Sequence, residues 1–573
     1  MSIADWIVLL VTLAGIISYG VWKSRGQHGT DTYLLAGRKM PWYVVLTGIM
    51  ATQASAITFL SAPGQAYTDG MRFVQYYFGL PLAMIVICIT FIPIFKKLNV
   101  YTAYEYLEQR FDRRTRLLTA VLFLLSRGLS TGISIYAPSI ILSSIMGWNI
   151  YLTNIITGGL LIIYTYAGGA KAIAHTQKLL LVIILSSMAI AGYLVVHDLP
   201  QGIGMSDALY IAGKSGKLNV ITTAFDWKDR YNIWSGVIGG FFLALSYFGT
   251  DQSQVGRYLT AKDLHESRIG LLLNGLVKVP MQFLVLLIGA LLFAFYSFYP
   301  APVHFNEQAL AAARQQQPAA TAQLEQRYIA AHKNYERMAA VITTAHKHDA
   351  HIPDASLAEL KQSEAAMTQT RDSMKKLVQQ TGAEASDTNY IFLYFVKHCL
   401  PPGLVGLLFA VIFLASWGSI SAALNSLASS SLMDIQFHNR KELPGEKKQL
   451  FLGRLHTLAW GLFCIATATF AARMGSLIEA VNILGSLFYG TILGIFLVAF
   501  YIRRAGGKTV FTAAIIAELS VIIIYMLDVV SFLWLNVIGA LIVVTICLLL
   551  PEKKKSLLHR KIHKLMTGKK IVE

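Results

Sequence analysis

Four cysteines in 573 residues is few, and Cys88, Cys399, Cys464 and Cys547 show no paired spacing of a zinc site or a disulfide framework. All four lie in or beside apolar runs, which makes them packing residues. Charge is scarce as well, with Asp, Glu, Lys and Arg at 14% of the chain against 55% hydrophobic residues. That balance excludes an ordinary soluble domain and fits a polytopic membrane protein. No HExxH or P-loop occurs, and the apolar runs hold no acidic pair or histidine cluster, so neither enzyme chemistry nor a nucleotide-driven pump is expected. Acidic residues are the rarer sign, 31 against 49 basic ones, for a net charge of +18. The distribution of those charges, described next, points to membrane topology and away from a nucleic-acid partner.

What the chain does have is apolar runs long enough to cross roughly 30 Å of hydrocarbon. They fall near residues 3–22, 41–66, 71–95, 117–146, 150–167, 173–196, 233–250, 270–299, 404–433, 453–472, 477–502, 509–527 and 531–550. Backbone satisfaction in lipid makes them helices. The expectation is therefore an all-α polytopic membrane protein with about 13 transmembrane helices. The first run, starting at Ile3, lacks a basic leader and a clear cleavage site and is read as a permanent span. With the N-terminus outside, lysine and arginine concentrate in the inner loops and in the tail 551–573, which carries KKKSLLHRKIHK. This predicts a cytoplasmic C-terminus resting on anionic headgroups of the plasma or inner membrane.

Four segments follow: transmembrane helices over 1–300, an extracytoplasmic insert over 301–388, further spans over 389–550, and the basic tail. The insert is rich in Ala, Gln, Glu, Lys and His. Two strong helix-forming stretches, separated by the breaker HDAHIPD, predict an antiparallel helical hairpin. Two readings of it stay open, a docking site or lid for a protein partner and a tolerated insertion at a loop tip.

Polar residues inside the apolar runs mark the chemistry. Secondary transporters commonly repeat a five-helix unit in inverted orientation, the first helix of each unit being broken at mid-membrane. The two candidates are 41–66, with Thr52, Gln53, Ser55, Thr58 and Ser61 before Pro63-Gly64, and 233–250, which runs into a polar hinge at Gly249–Gln254. A third element, 410–434, is rich in serines; small residues suit close helix packing, and hydroxyls also suit a hard cation. Lys278, within a later span, is costly in hydrocarbon unless it snorkels, finds a structural partner or faces a polar cavity. Tyr247 reads either as a packing aromatic or as a gate beside the hinge.

The block GTDQSQVGRYLTAKD at 249–263 with the Lys-x-Pro helix after it, the helix GLLFAVIFLASWGSISAALNS and the block YAPS together resemble the sodium:solute symporter family, that of the sodium/glucose transporters. The resemblance covers roughly 3–300 and 389–550. It implies a five-plus-five inverted-repeat, leucine-transporter-like core with discontinuous helices, and sodium as coupling ion. Carried over, the main sodium site uses the carbonyls of Ala51, Ala54 and Ala415 and the side chain of Ser419. Gly418 stands where the family usually has a second hydroxyl, with Ser416 and Ser421 close by. Gln177 stands where some members have an aspartate for a further sodium, so one coupling ion at most is expected. The solute positions implied are Thr58, Gln75, Tyr247, Lys278 and Asn482, with Arg127 structural or at the inner gate. Ala244 replaces the asparagine of sugar-binding members, and the segment TFLSAPGQAYTDG is similar to the monocarboxylate, vitamin and iodide branch.

The expected function is sodium-coupled symport of a small polar solute, a sugar, polyol or sugar acid, by alternating access. A solute sensor without net transport and a proton-coupled carboxylate or anion symporter stand as alternatives. Gly418 leaves sodium against proton coupling open.

Overall fold

The computed structural model describes residues 1–24, 40–53, 55–98, 102–437, 444–471 and 474–550. Among them every regular element is helical, and the single exception to helical pairing is an isolated bridge between Met40 and Ala261. In chain order the helices are α1 (Ile3–Ser24), α2 (Trp42–Gln53), α3 (Ala56–Asp69), α4 (Leu80–Val86), α5 (Ile92–Leu98), α6 (Glu105–Arg110) and α7 (Arg113–Met146). Then come α8 (Ile150–His197), α9 (Met205–Lys214), α10 (Gly240–Thr250), α11 (Gln252–Leu259) and α12 (Leu264–Phe298). The insert forms α13 (Glu307–Gln316), α14 (Pro318–Lys347) and α15 (Asp354–Gln380). The remainder is α16 (Ile391–Cys399), α17 (Leu404–Ser430), α18 (Glu446–Ala468), α19 (Leu477–Tyr501), α20 (Gly507–Met526) and α21 (Phe532–Leu549).

Nine helical runs among the described residues are long and apolar enough to cross a membrane, and three shorter apolar helices accompany them. Span 41–66 is split into α2 and α3, as expected of a broken helix, but the stop expected at Pro63-Gly64 is absent: both lie inside α3, which runs on through a 3-10 turn, Gly70–Tyr77, toward the helices of span 71–95. Spans 150–167 and 173–196 are joined in the single 48-residue helix α8, whose sequence contains no proline to stop it. The tail 551–573 lies outside the described residues.

Helix α17 is the axis of the bundle. It packs on α1, α2, α3, α7, α8, α11 and α18, and almost every side chain from Val405 to Leu424 is buried. Its start is capped from the far end of the chain. Asp5 Oδ1 on α1 accepts from the Gly403 and Gly406 amides at 2.7 and 3.2 Å, satisfying donors a helix start leaves open. A Cβ on Gly406 would stand 2.0 Å from the Asp5 carbonyl, so glycine permits this approach.

Within the insert, α14 turns into α15 across 348–353, and Arg337–Glu359 at 2.9 Å bridges the two. It rests on the bundle through His332 against the Tyr296 carbonyl (2.7 Å) and Tyr335 on Ser215 (2.8 Å). Its return strand is tied to three core helices. Glu384 Oε2 accepts from the hydroxyls of Tyr136 on α7 and Tyr390, each at 2.8 Å. Asp387, fully buried, pairs with Arg371 at 2.6 Å. Asn389 donates to the Gly475 carbonyl and accepts from the Leu477 amide at the start of α19. The Thr388 carbonyl lies against Gly64 of α3, where a Cβ would approach it to 1.8 Å.

Candidate functional site: a polar cavity between two broken helices

Both predicted breaks are present, and both turn toward one cavity. Helix α2 stops at Gln53, and Ser55 is extended (φ −79°, ψ 171°) before α3 begins. Helix α10 stops at Thr250, and Asp251 is extended (φ −75°, ψ 119°) before α11. Asp251 makes the second break stable: Oδ1 accepts from the Ser253 amide at 2.7 Å and its hydroxyl at 2.6 Å, while Oδ2 accepts from Tyr489 on α19 at 2.9 Å. At the first break Thr58 Oγ1 donates to the Gln53 carbonyl at 3.0 Å, and Gln53 Nε2 donates to Asn274 at 2.9 Å. Carbonyls at such breaks lose their intrahelical donors and are available to cations or polar groups.

The cavity measures about 140 Å³. Its wall takes Thr52, Gln53, Ser55 and Thr58 from the first break, Arg127, Ser130, Thr131 and Ser134 from α7, and Ala244 and Tyr247 from α10. Lys278 of α12, Ser419 of α17, and Asn482 and Tyr489 of α19 complete its polar and aromatic part. Of the solute positions, Thr58, Tyr247, Lys278 and Asn482 line it. Gln75 does not. Its amide donates to the Tyr231 carbonyl at 2.9 Å and its oxygen accepts from the Thr222 amide at 3.1 Å, so both ends are spent holding loops.

Two cations face this space, and no Asp or Glu is in its lining. Lys278 is 1% exposed, lies 5.4 Å from the centre of the Tyr77 ring, and has no hydrogen bond or ion pair among the described residues. It does not snorkel. Arg127 lies over the Tyr247 ring at 5.9 Å, and its Nε has no partner. Tyr247 is in turn fixed by Gln254 Nε2, which donates to its hydroxyl at 2.6 Å. Arg127 has a counter-charge in Asp251 at the second break, whereas Lys278 has none; a buried cation of that kind costs several kcal/mol, a cost an anionic ligand would offset. Arg127, Tyr76, Tyr77 and Tyr489 join this wall unforeseen as cavity residues; an arginine inside the apolar stretch LLSRGLSTG was the available signal.

Of the proposed sodium ligands, Ser419 lines the cavity, while Ala51 on α2 and Ala415 and Gly418 on α17 are buried but not part of its lining. Ala54 lies outside the described residues. Ser419 Oγ donates to the Ser416 carbonyl at 3.1 Å and keeps its lone pairs, and Ser416 Oγ donates to the Ile412 carbonyl at 3.0 Å. Behind Gly418, Gln177 of α8 donates to the Gly418 carbonyl at 3.3 Å, and its Oε1 has no partner. The stretch GLSTG at 128–132 has the spacing of a hydrolase nucleophile elbow, but it lies inside α7, where Ser130 Oγ donates to the Ser126 carbonyl at 2.7 Å.

Two broken helices closing on one polar cavity within an all-helical membrane bundle define a secondary transporter of inverted-repeat architecture. The model of the family described as "Sodium:solute symporter family" matches residues 33–332 and 365–517, and the chain belongs to that family. The sodium/sialic acid symporter NanT of Aliivibrio fischeri is 26% identical over 548 residues, 95% of this chain and 92% of the relative. Human sodium-coupled monocarboxylate transporter 1 is 32% identical over 273 residues, 47% of this chain and 44% of that protein. A solved substrate-bound, outward-open sodium-coupled sialic acid symporter superposes with a TM-score of 0.73, covering 96% of this chain and 99% of its own at 22% identity. Both relatives are transporters.

Proposed function

We propose that this protein couples sodium entry to import of a small polar solute bearing a carboxylate, a sugar acid or related compound, by alternating access. The observation that carries the solute class is Lys278, a buried cation without a counter-charge in a cavity whose lining holds no acid, with Arg127 on the same wall. Thr58 and Ser134 supply hydroxyl lone pairs for the rest of the molecule, Asn482 shapes the wall while its amide holds Tyr76 and the Ile478 carbonyl, and Tyr247 closes its inner side. Sodium sits between the first break and α17, held by the Ala51, Ala54 and Ala415 carbonyls and Ser419. Binding there steadies the α2–α3 break that also carries Thr58, so ion and solute favour the same state. Coupling extends only as far as each ligand binds the two states differently. The insert and N-terminus face outside and the basic tail faces the cytoplasm, in the orientation the lysine and arginine distribution supports.

The test is uptake into proteoliposomes of labelled sugars, polyols, sugar acids and small carboxylates, under sodium, potassium or proton gradients. The expected result is sodium-dependent accumulation of a carboxylate, abolished by Ser419→Ala. Lys278→Met should weaken apparent affinity about tenfold to a hundredfold, the loss of one charge-assisted contact. Accumulation of neutral sugars unaffected by Lys278→Met would refute the solute class. Accumulation on protons alone would refute the ion, and binding without accumulation would point to a sensor.

A further inference from the structure

Outside the central cavity, one acid lies within the bundle with nothing to pair it. Glu518 is roughly halfway along the 20-residue α20, a helix about 30 Å long. It is 8% exposed, and neither carboxylate oxygen has a hydrogen-bond partner among the described residues. The polar group facing it is the Thr491 hydroxyl of α19, also without a partner. Helices α19, α21 and α7 pack against α20. Helix α21 has no charged residue, α19 has only Glu479 in its first turn, and α7 has Arg113, Arg114, Arg116 and Arg127; none of these interacts electrostatically with Glu518.

An ionised carboxylate in this seam would be an uncompensated buried charge, whereas a neutral acid is tolerated and can donate to Thr491. A metal cation does not suit the place. Both helices are unbroken there, so their carbonyls are taken, and three side-chain oxygens fall short of the roughly six a hard cation gathers. A proton is the ligand that fits. The seam also bears on transport, because α19 carries Asn482 and Tyr489 at the cavity, and Tyr489, two residues before Thr491, holds Asp251 at the second break.

We propose that Glu518 is a proton-binding site whose neutral form stabilises the packing of α19 on α20 seen here. When α19 shifts and water enters the seam, the O–H bond breaks, the proton passes to water and the carboxylate remains. External and internal pH thereby set the balance between conformers through a group remote from both ion and solute. Only the transport arm of the test rests on the proposed function.

The test uses the purified full-length protein. Infrared difference spectra against Glu518→Gln should show a protonated-carboxyl band in the wild type at neutral pH that disappears on alkaline titration. Sodium-driven uptake by the wild type should fall about tenfold per pH unit beyond that midpoint, while Glu518→Gln stays level. Should Glu518→Gln fail to fold, Glu518→Asp should keep the band with a displaced midpoint. Identical spectra of wild type and variant across the titration would overturn the proposal, as would a carboxylate band already ionised at neutral pH and shifted by sodium. Absence of uptake with an intact titrating band would count against the transport reading and leave the proton site standing.

Discussion

Glu384 seats the insert on the core, and its environment makes the seat sensitive to pH. Burial pushes its carboxyl from the ordinary 4.5 up to about 8, against the opposing pull of the Tyr136 and Tyr390 hydroxyls. The raised value means the folded protein holds a proton that the unfolded chain has released. Between pH 4.5 and 8 the folded state therefore binds more protons, and stability falls as pH rises through that window. The slope for one proton is about 1.4 kcal/mol per pH unit, so from pH 6 to 8 this group removes at most about 3 kcal/mol. Glu384→Gln keeps an oxygen for both tyrosines and removes the titration. Thermal unfolding in detergent, followed by tryptophan fluorescence from about pH 5 to 9, should show a falling midpoint in the wild type. The variant should be flatter and more stable at the alkaline end. A variant that follows the wild-type profile, or one destabilised most at alkaline pH, would refute the reasoning.

Other substitutions test the core. Gly64→Ala places a methyl against the Thr388 carbonyl, backbone against helix with no flexible side chain to yield, and should cost about 1–3 kcal/mol or more, read as lost monodisperse protein on size-exclusion chromatography. Gly418→Ser should be accommodated, since a Cβ there meets Leu180 and Gln177 at 3.6 and 3.7 Å; the added hydroxyl should lower the sodium concentration for half-maximal uptake severalfold, and unchanged sodium dependence would count against ion binding beside Ser419. Tyr489→Phe leaves a buried Asp251 oxygen without its donor, about 1–3 kcal/mol, and should reduce uptake more than it lowers thermal stability; the reverse pattern would make that bond purely structural.

The helical class and the two breaks were legible because each has a local physical signature. Hydrocarbon demands long apolar runs, and a broken helix must carry polar residues such as Thr52 to Ser61 or Gly249 to Gln254. The continuity of α8 was not legible, since hydropathy dips between its two apolar halves while the backbone stays helical. Gln75 shows the other limit. A glutamine near the site reads as a ligand until its partners are known, and here the Tyr231 carbonyl and Thr222 amide, some 150 residues away in sequence, occupy it. Arg127 was given a structural or gate role from sequence, and the packing of α7 adds that it stands on the cavity wall, over the Tyr247 ring. Glu518 drew no notice because a lone acid has no motif.

The cap that Asp5 places on α17 also has a meaning in time. Its partner amide at Gly403 lies 398 residues downstream. At roughly 5–20 residues per second of synthesis, α1 waits about 20 to 80 s before the helix it caps exists. In the folded protein the other carboxylate oxygen is held locally, by the Ser2 amide and hydroxyl at 2.8 Å. Helix α1 can dock on α8 in the meantime, but a ribosome stalled short of residue 403 would leave the cap unmade.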